Sequence, residues 1–170
     1  MFANMKIGLR LTLGFAIVLV LMATLAWEGV NGMGQIQDRL EEVVQDNMVK
    51  IKLNTDMAEA VHIVTRITRT IILLNNPQDV ATEKNKLDSY RQKYNDAWAA
   101  LEKTPASDKG KAIRSRIKTA AAESRPLTDK TLELAMSDKK EEAAIVLLGQ
   151  AAPTVQKWQD AIDENIALQE

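Results

Sequence analysis

The sequence predicts an all-α protein: an up-down-up-down antiparallel four-helix bundle, preceded by an N-terminal transmembrane helix continuous with the first bundle helix. Three observations predict it. Residues 11–27 (LTLGFAIVLVLMATLAW) are seventeen positions without a charge. From residue 36 onward apolar side chains recur in steps of four and three, the helical period, and no segment carries a strand signal. Short clusters of Asn, Pro, Ser and Asp, at 75–79, 104–108 and 137–138, divide the rest into four stretches of helical length.

The apolar run comes first. At about 1.5 Å per residue it reaches roughly 26 Å, slightly short of a ~30 Å hydrocarbon core. Leu9, Gly29 and Val30 lengthen it, giving a span over 11–30. Lys6 and Arg10 precede it and no acid occurs before Glu28, so residues 1–10 are expected in the cytoplasm and 31–170 outside. Trp27 stands where an interfacial aromatic anchor stands. A cleaved signal peptide is the rival reading, with Ala23 and Ala26 near a cleavage site, but the run exceeds the ~7–15 residues of a signal core. Both readings put the remainder outside the cytoplasm.

The first long helix is expected over 31–75. One seam reads Ile36, Leu40, Val43, Asn47, Lys50, Asn54, Met57, Val61, Val64, Thr68, Ile71, with three polar residues in its middle. A second lies one residue over: Val44, Met48, Ile51, Thr55, Ala58, His62, Thr65, Arg69, Ile72. Two adjacent seams mean two neighbours, one in the same bundle and one in a partner subunit. Asn76 as N-cap, Pro77 at the first helical position and Asp79 at the positive helix end start the second helix, 77–103. Its seam is Val80, Glu83, Leu87, Tyr90, Tyr94, Ala97, Leu101. Ser107 or Asp108 caps the third helix, 108–136, whose seam is Ile113, Ile117, Ala120, Ser124, Leu127, Thr131, Leu134 and in which Pro126 predicts a kink. Asp138 and Glu141 read as a capping box opening the fourth helix, 138–170. Its seam runs Ile145, Leu148, Ala152, Val155, Gln159, Ile162, Ile166, with Pro153 predicting a second kink. A last helix that returns toward the bilayer leads us to expect a second span and a cytoplasmic part beyond residue 170.

Composition removes whole classes of chemistry. There is no cysteine, hence no disulfide, thiolate metal site, iron–sulfur cluster or cysteine nucleophile. One histidine, His62, excludes a site needing two imidazoles from one chain, and no haem-attachment motif occurs. After Gly34 only Gly110 and Gly149 remain, too few for a Gly-rich phosphate loop. A net charge of −1 gives no reason to expect nucleic acid. The acids, such as Glu41-Glu42 and Glu141-Glu142, read as solvated faces. Met48, Met57 and Met136 read as core filling. No catalytic constellation is visible, so the chain reads as a non-enzyme without cofactor or metal.

In the order of its features the chain resembles the N-terminal half of a bacterial methyl-accepting chemotaxis receptor with a four-helix-bundle ligand-binding domain. Met5-Lys6-Ile7-Gly8-Leu9-Arg10-Leu11, then Leu13-Gly14-Phe15, is similar to that family's start. Ile71-Ile72-Leu73-Leu74-Asn75-Asn76-Pro77 resembles the end of its first helix, and Ser137-Asp138-Lys139-Lys140-Glu141 its turn between the last two. The resemblance covers essentially the whole chain. It implies a homodimer in the inner membrane with a periplasmic sensor domain, a small amino acid or carboxylate as ligand, and cytoplasmic signalling partners. It also implies that Arg66, Arg69 and Thr154 take the place of the arginines and threonine that hold ligand in aspartate-type receptors. The chain departs from that pattern at Val61 and His62, where a further arginine would stand. The ligand, and whether its pocket lies within one subunit or between two, stay open. The same module also feeds histidine kinases and diguanylate cyclases, and a membrane-anchored interaction bundle without ligand is a further alternative.

The residues themselves point to a candidate ligand site. His62, Arg66 and Arg69 share one face of the first helix, with Thr65 beside them. A guanidinium's planar fork fits a carboxylate in two-point contact. Below the 75–77 turn Arg66 lies about 15 Å down, Arg91 and Tyr94 about 21–26 Å, and Thr154 about 24 Å along its own helix. Long side chains at these depths can converge. Each residue also has a plainer reading: Arg66 and Arg69 as solvated charges, His62 as a rim residue, and the Tyr90, Tyr94, Trp98 stripe as bundle core. The candidate ligand-binding set is Thr65, Arg66, Arg69, Arg91, Tyr94 and Thr154.

Overall fold

The computed structural model describes residues 7–41 and 46–169; for residues 7, 9, 10, 34–39 and 41 it describes the backbone alone. The regular structure among the described residues is helical throughout. It divides into two units, Met1–Gln45 and Asp46–Glu170. Lys6, Val43 and Val44, the side chains of Arg10 and Ile36, and the join between the span and the first long helix lie outside what is described.

The first unit is α1 (Ile7–Glu41). Its stretch Leu11–Met33, 23 residues, is long and apolar enough to cross a membrane, and none of it is buried within the protein. Two hydroxyls in that stretch bond back to their own helix, Thr12 to the Gly8 carbonyl at 2.6 Å and Thr24 to that of Val20 at 2.7 Å. Both are thereby satisfied without water, as a hydrocarbon environment requires.

The second unit holds α2 (Met48–Leu73), α3 (Pro77–Glu102), α4 (Asp108–Met136), α5 (Lys140–Val146) and α6 (Ala152–Ala167). A π-turn, Leu147–Ala151, joins α5 to α6, so the last three elements form the fourth arm of the bundle. The caps follow from local chemistry. The Asn76 side chain accepts from the Gln78 N–H at 2.9 Å with Pro77 in the first turn, and Ser107 accepts from the Gly110 N–H at 3.1 Å. The turn into the fourth arm differs from expectation. Asp138 adopts φ 59°, the left-handed region that Asp tolerates better than most residues. It ends α4 instead of opening a capping box: the Lys139 N–H bonds the Leu134 carbonyl at 2.9 Å, and α5 starts at Lys140 without a side-chain cap. Lys140 Nζ then reaches the Leu74 carbonyl at 2.6 Å and Asn75 Oδ1, tying the two distal turns together.

The prolines act differently from each other. α4 continues as helix through Pro126. Pro153 sits in the first turn of α6, and the break falls just before it, where the Ala152 N–H reaches back to the Leu147 carbonyl. A proline that cannot donate to residue 149 is accommodated by that widened turn.

Packing places α2 against α3 and α6, and α4 against α5 and α6. The backbones of α3 and α4 stand further apart. Long side chains bridge their seam: Arg91 to Asp129, Arg125 to Asn95, and Arg114 to both the carbonyl and the hydroxyl of Thr104. The core forms two clusters, one around Met57, Leu101, Ile113, Ile117 and Ile162, the other around Ile71, Leu87, Leu132 and Leu147. Each large side chain buried in them contributes roughly 1.5–3 kcal/mol.

The polar stretch of the first seam is buried too. Asn54 and Asn165 are 0% and 1% exposed, and the Asn165 amide donates to Asn54 Oδ1 at 2.9 Å. Lys50 is buried beside them, its ammonium 2.5 Å from Asp46. Of the second seam, Ile72 is buried, Ile51, Ala58 and Thr65 are half-buried, and Met48, Thr55, His62 and Arg69 are exposed.

Candidate functional site

The site lies where the two apolar clusters meet. Tyr94 on α3 and Trp158 on α6 face each other edge to face, ring centres 4.9 Å apart and planes at 74°. The Trp158 indole N–H donates to the Tyr94 hydroxyl at 3.0 Å. Both rings are buried, and burial pushes the Tyr94 phenol up to about 12, partly offset by that hydrogen bond and by the nearby Arg125 charge.

Beside the pair is a cavity of about 30 Å³, to which all four arms contribute. Val61, Val64 and Thr65 come from α2, Arg91 and Tyr94 from α3, Arg125 and Thr128 from α4, and Val155 and Trp158 from α6. The space suits one or two waters. Its walls are mainly apolar, and its two hydroxyls bond their own helices, Thr65 to the Val61 carbonyl at 2.8 Å and Thr128 to that of Ser124 at 3.1 Å.

The charged groups at the cavity are the two guanidiniums. Arg91 pairs with Asp129 at 2.5 Å. Arg125 lies over both aromatic rings, 5.2 Å from the Tyr94 centre and 5.7 Å from that of Trp158. Among the described residues its hydrogen-bond partner is the neutral amide of Asn95, at 2.7 Å. Arg125 and Tyr94 also bound a groove of about 240 Å³ on the outer side, between α3 and α4, with Asn95, Trp98 and Lys118. The Arg125 side chain therefore stands between the inner cavity and the outer groove.

A second concave surface lies between α2 and α6. It is open, about 550 Å³, and holds His62, Arg66, Arg69, Gln156 and Gln159. The Gln159 amide nitrogen is 2.9 Å from His62 Nδ1. Among the described residues neither Arg66 nor Arg69 meets a carboxylate. Thr65 and Val155 belong to both this groove and the cavity, and form the wall between them.

The six residues singled out from the sequence are thus divided. Thr65, Arg91 and Tyr94 meet at the cavity, while Arg66 and Arg69 occupy the open groove. Thr154 lines neither; its hydroxyl is 2.9 Å from the Ala151 carbonyl, to which it donates. Arg125, Thr128 and Trp158 were not among the six. The available signal for Arg125 was its place directly before a proline inside a helix, which is also one position off the seam at Ser124. Among the described residues no three His, Asp or Glu side chains converge as a metal site would need.

Residues 4–170 match the family model described as four helix bundle sensory module for signal transduction. The chain belongs to this family. No curated protein shows a significant sequence match to it. Among solved structures, a periplasmic sensor domain of a sensor histidine kinase is similar with a TM-score of 0.64 and 16% identity, over 78% of this chain and 86% of that one. At that identity the likeness concerns the fold. In this four-helix-bundle sensory module, arginines line both the small cavity beside Tyr94 and Trp158 and the wider groove between α2 and α6.

Proposed function

We propose that this sensory module is the extracytoplasmic part of a transmembrane chemoreceptor, and that it binds a small organic acid or amino acid in the cavity beside Tyr94 and Trp158. The observation that carries this reading is the meeting of Arg91, Arg125, Tyr94 and Trp158 at one cavity bounded by all four arms of the bundle. Guanidiniums over a partly dry, apolar-walled space recognise a carboxylate by charge-assisted hydrogen bonds. The cavity is too small for an amino acid as it stands, so a ligand enters by moving helices. A ligand that favours one of two packings by a few kcal/mol shifts their populations. Such a shift is what α1, on this reading a span in the inner membrane, would carry from the periplasm to the cytoplasm. The module acts as a homodimer and without catalysis. A sensor histidine kinase is the second reading for the output, favoured by the described fold neighbour.

A thermal-shift screen of the full chain in detergent micelles against amino acids and organic acids tests this. A ligand at 100 times its Kd adds about 2.7 kcal/mol of stability. The expected hit is lost in Arg125→Ala and kept in Arg66→Ala/Arg69→Ala. The reverse pattern would move the site to the open groove, and no hit in the folded protein would favour a module that senses another protein.

A further inference from the structure

We infer that the internal site is selective for a short monocarboxylate with an apolar tail, its carboxylate on Arg125 and its tail in the space beside Trp158 and Val155. The inference rests on the proposed function and specifies its ligand class. It comes from charge counting and shape. The cavity meets two guanidiniums, and one of them, Arg91, is already neutralised by Asp129 at 2.5 Å. Arg125 holds the uncompensated charge, since among the described residues it bonds only the neutral Asn95 amide, at 2.7 Å. One free positive charge matches one carboxylate. A dicarboxylate would bring a second negative charge against walls formed by Val61, Val64 and Val155, where ionised groups are strongly disfavoured.

The position of Arg125 gives the route. Its side chain lines both the cavity of about 30 Å³ and the outer groove of about 240 Å³, as Tyr94 does. It lies on the α3/α4 seam, where the two backbones stand further apart than those of α2 and α3 or of α4 and α6. A carboxylate arriving in the groove exchanges the amide of Asn95 for itself on the guanidinium, gaining an ionic hydrogen bond for a neutral one. The tail then displaces whatever water the cavity holds. An ammonium group fares worse, because Arg125 already occupies the aromatic faces of Tyr94 and Trp158 that would attract it.

Calorimetric titration of the full chain in detergent micelles with propionate, succinate and propylammonium tests the inference. Propionate is expected to bind saturably, about tenfold or more tighter than succinate, with propylammonium giving no saturable heat. Arg125→Gln is expected to abolish propionate binding while keeping wild-type helicity by circular dichroism. Should Arg125→Gln fail to fold, Arg125→Lys and the propionate-to-succinate ratio in the wild type decide the matter. Succinate binding as tightly as propionate, in an Arg125-dependent way, would overturn the charge count and leave the carboxylate reading standing. Propionate binding undiminished in folded Arg125→Gln would overturn the assignment to Arg125. No binding of either acid by the folded wild type would overturn both readings.

Discussion

Trp158 on α6 and Tyr94 on α3 share a buried hydrogen bond, the indole N–H donating to the phenol oxygen at 3.0 Å. The phenol oxygen thereby gives the indole N–H its acceptor inside the first apolar cluster. Tyr94→Phe leaves the indole N–H without this acceptor and is expected to cost about 1–3 kcal/mol. Trp158→Ala also opens a cavity and is expected to cost about 3–5 kcal/mol. Urea unfolding followed by circular dichroism measures both. A loss below 0.5 kcal/mol for Tyr94→Phe would mean that water replaces the hydroxyl, roughly the lower bound for a net hydrogen bond.

The same burial makes stability depend on alkaline pH. The Tyr94 phenol is raised from 10.0 to about 12 in the fold. Between those values the unfolded chain has lost a proton that the native state retains, so stability falls as pH rises through this window and is fully present below it. The slope approaches about 1.4 kcal/mol per pH unit for one group. The chain has two tyrosines, so a Tyr90→Phe variant reports Tyr94 alone. Its phenolate absorbance is expected to rise only near pH 12 in the folded protein. A rise centred near pH 10 would contradict the burial of that hydroxyl.

Asn54 and Asn165 form a buried polar pair, with Asn165 Oδ1 left without a partner among the described residues. Replacing one by Leu strands the other and is expected to cost about 1–3 kcal/mol. Replacing both is expected to recover most of that loss. A double-mutant cycle measures the coupling, and additive losses would show that the pair does not act as a unit.

The Arg91–Asp129 bridge is expected to contribute little to stability. Its side chains are 32% and 57% exposed, and such pairs are typically worth about 0.2–1 kcal/mol and weaken with salt. A double-mutant cycle in low and high salt checks this. A coupling above about 2 kcal/mol that survives high salt would show the pair to be shielded from solvent.

What was legible in the sequence was what local chemistry decides. Asn76-Pro77 and Ser107 cap the helices they were expected to cap, because an N-cap depends on one side chain and the two or three residues after it. Asp138 was misread, since the same residue type serves as an N-cap or as a left-handed helix end, and its backbone angle decides which. Heptad spacing reached Tyr94 but not Arg125, whose long side chain enters the site from beside the seam. Thr154 had the right depth, but a helical threonine readily bonds its own preceding turn, and this one does. Depth along a bundle is readable from residue counts; which side of each helix faces a cavity is decided by how all four arms rotate together.

The most direct measurement of the site is the fluorescence of Trp158 alone, in a Trp27→Phe/Trp98→Phe background, as propionate, alanine and succinate are added to the full chain. A saturable change in emission with at least one of them, abolished by Arg125→Gln, is the result expected of a ligand entering beside the Tyr94–Trp158 pair. Saturable binding in calorimetry with Trp158 emission unchanged would place the ligand elsewhere and contradict the assignment of the cavity.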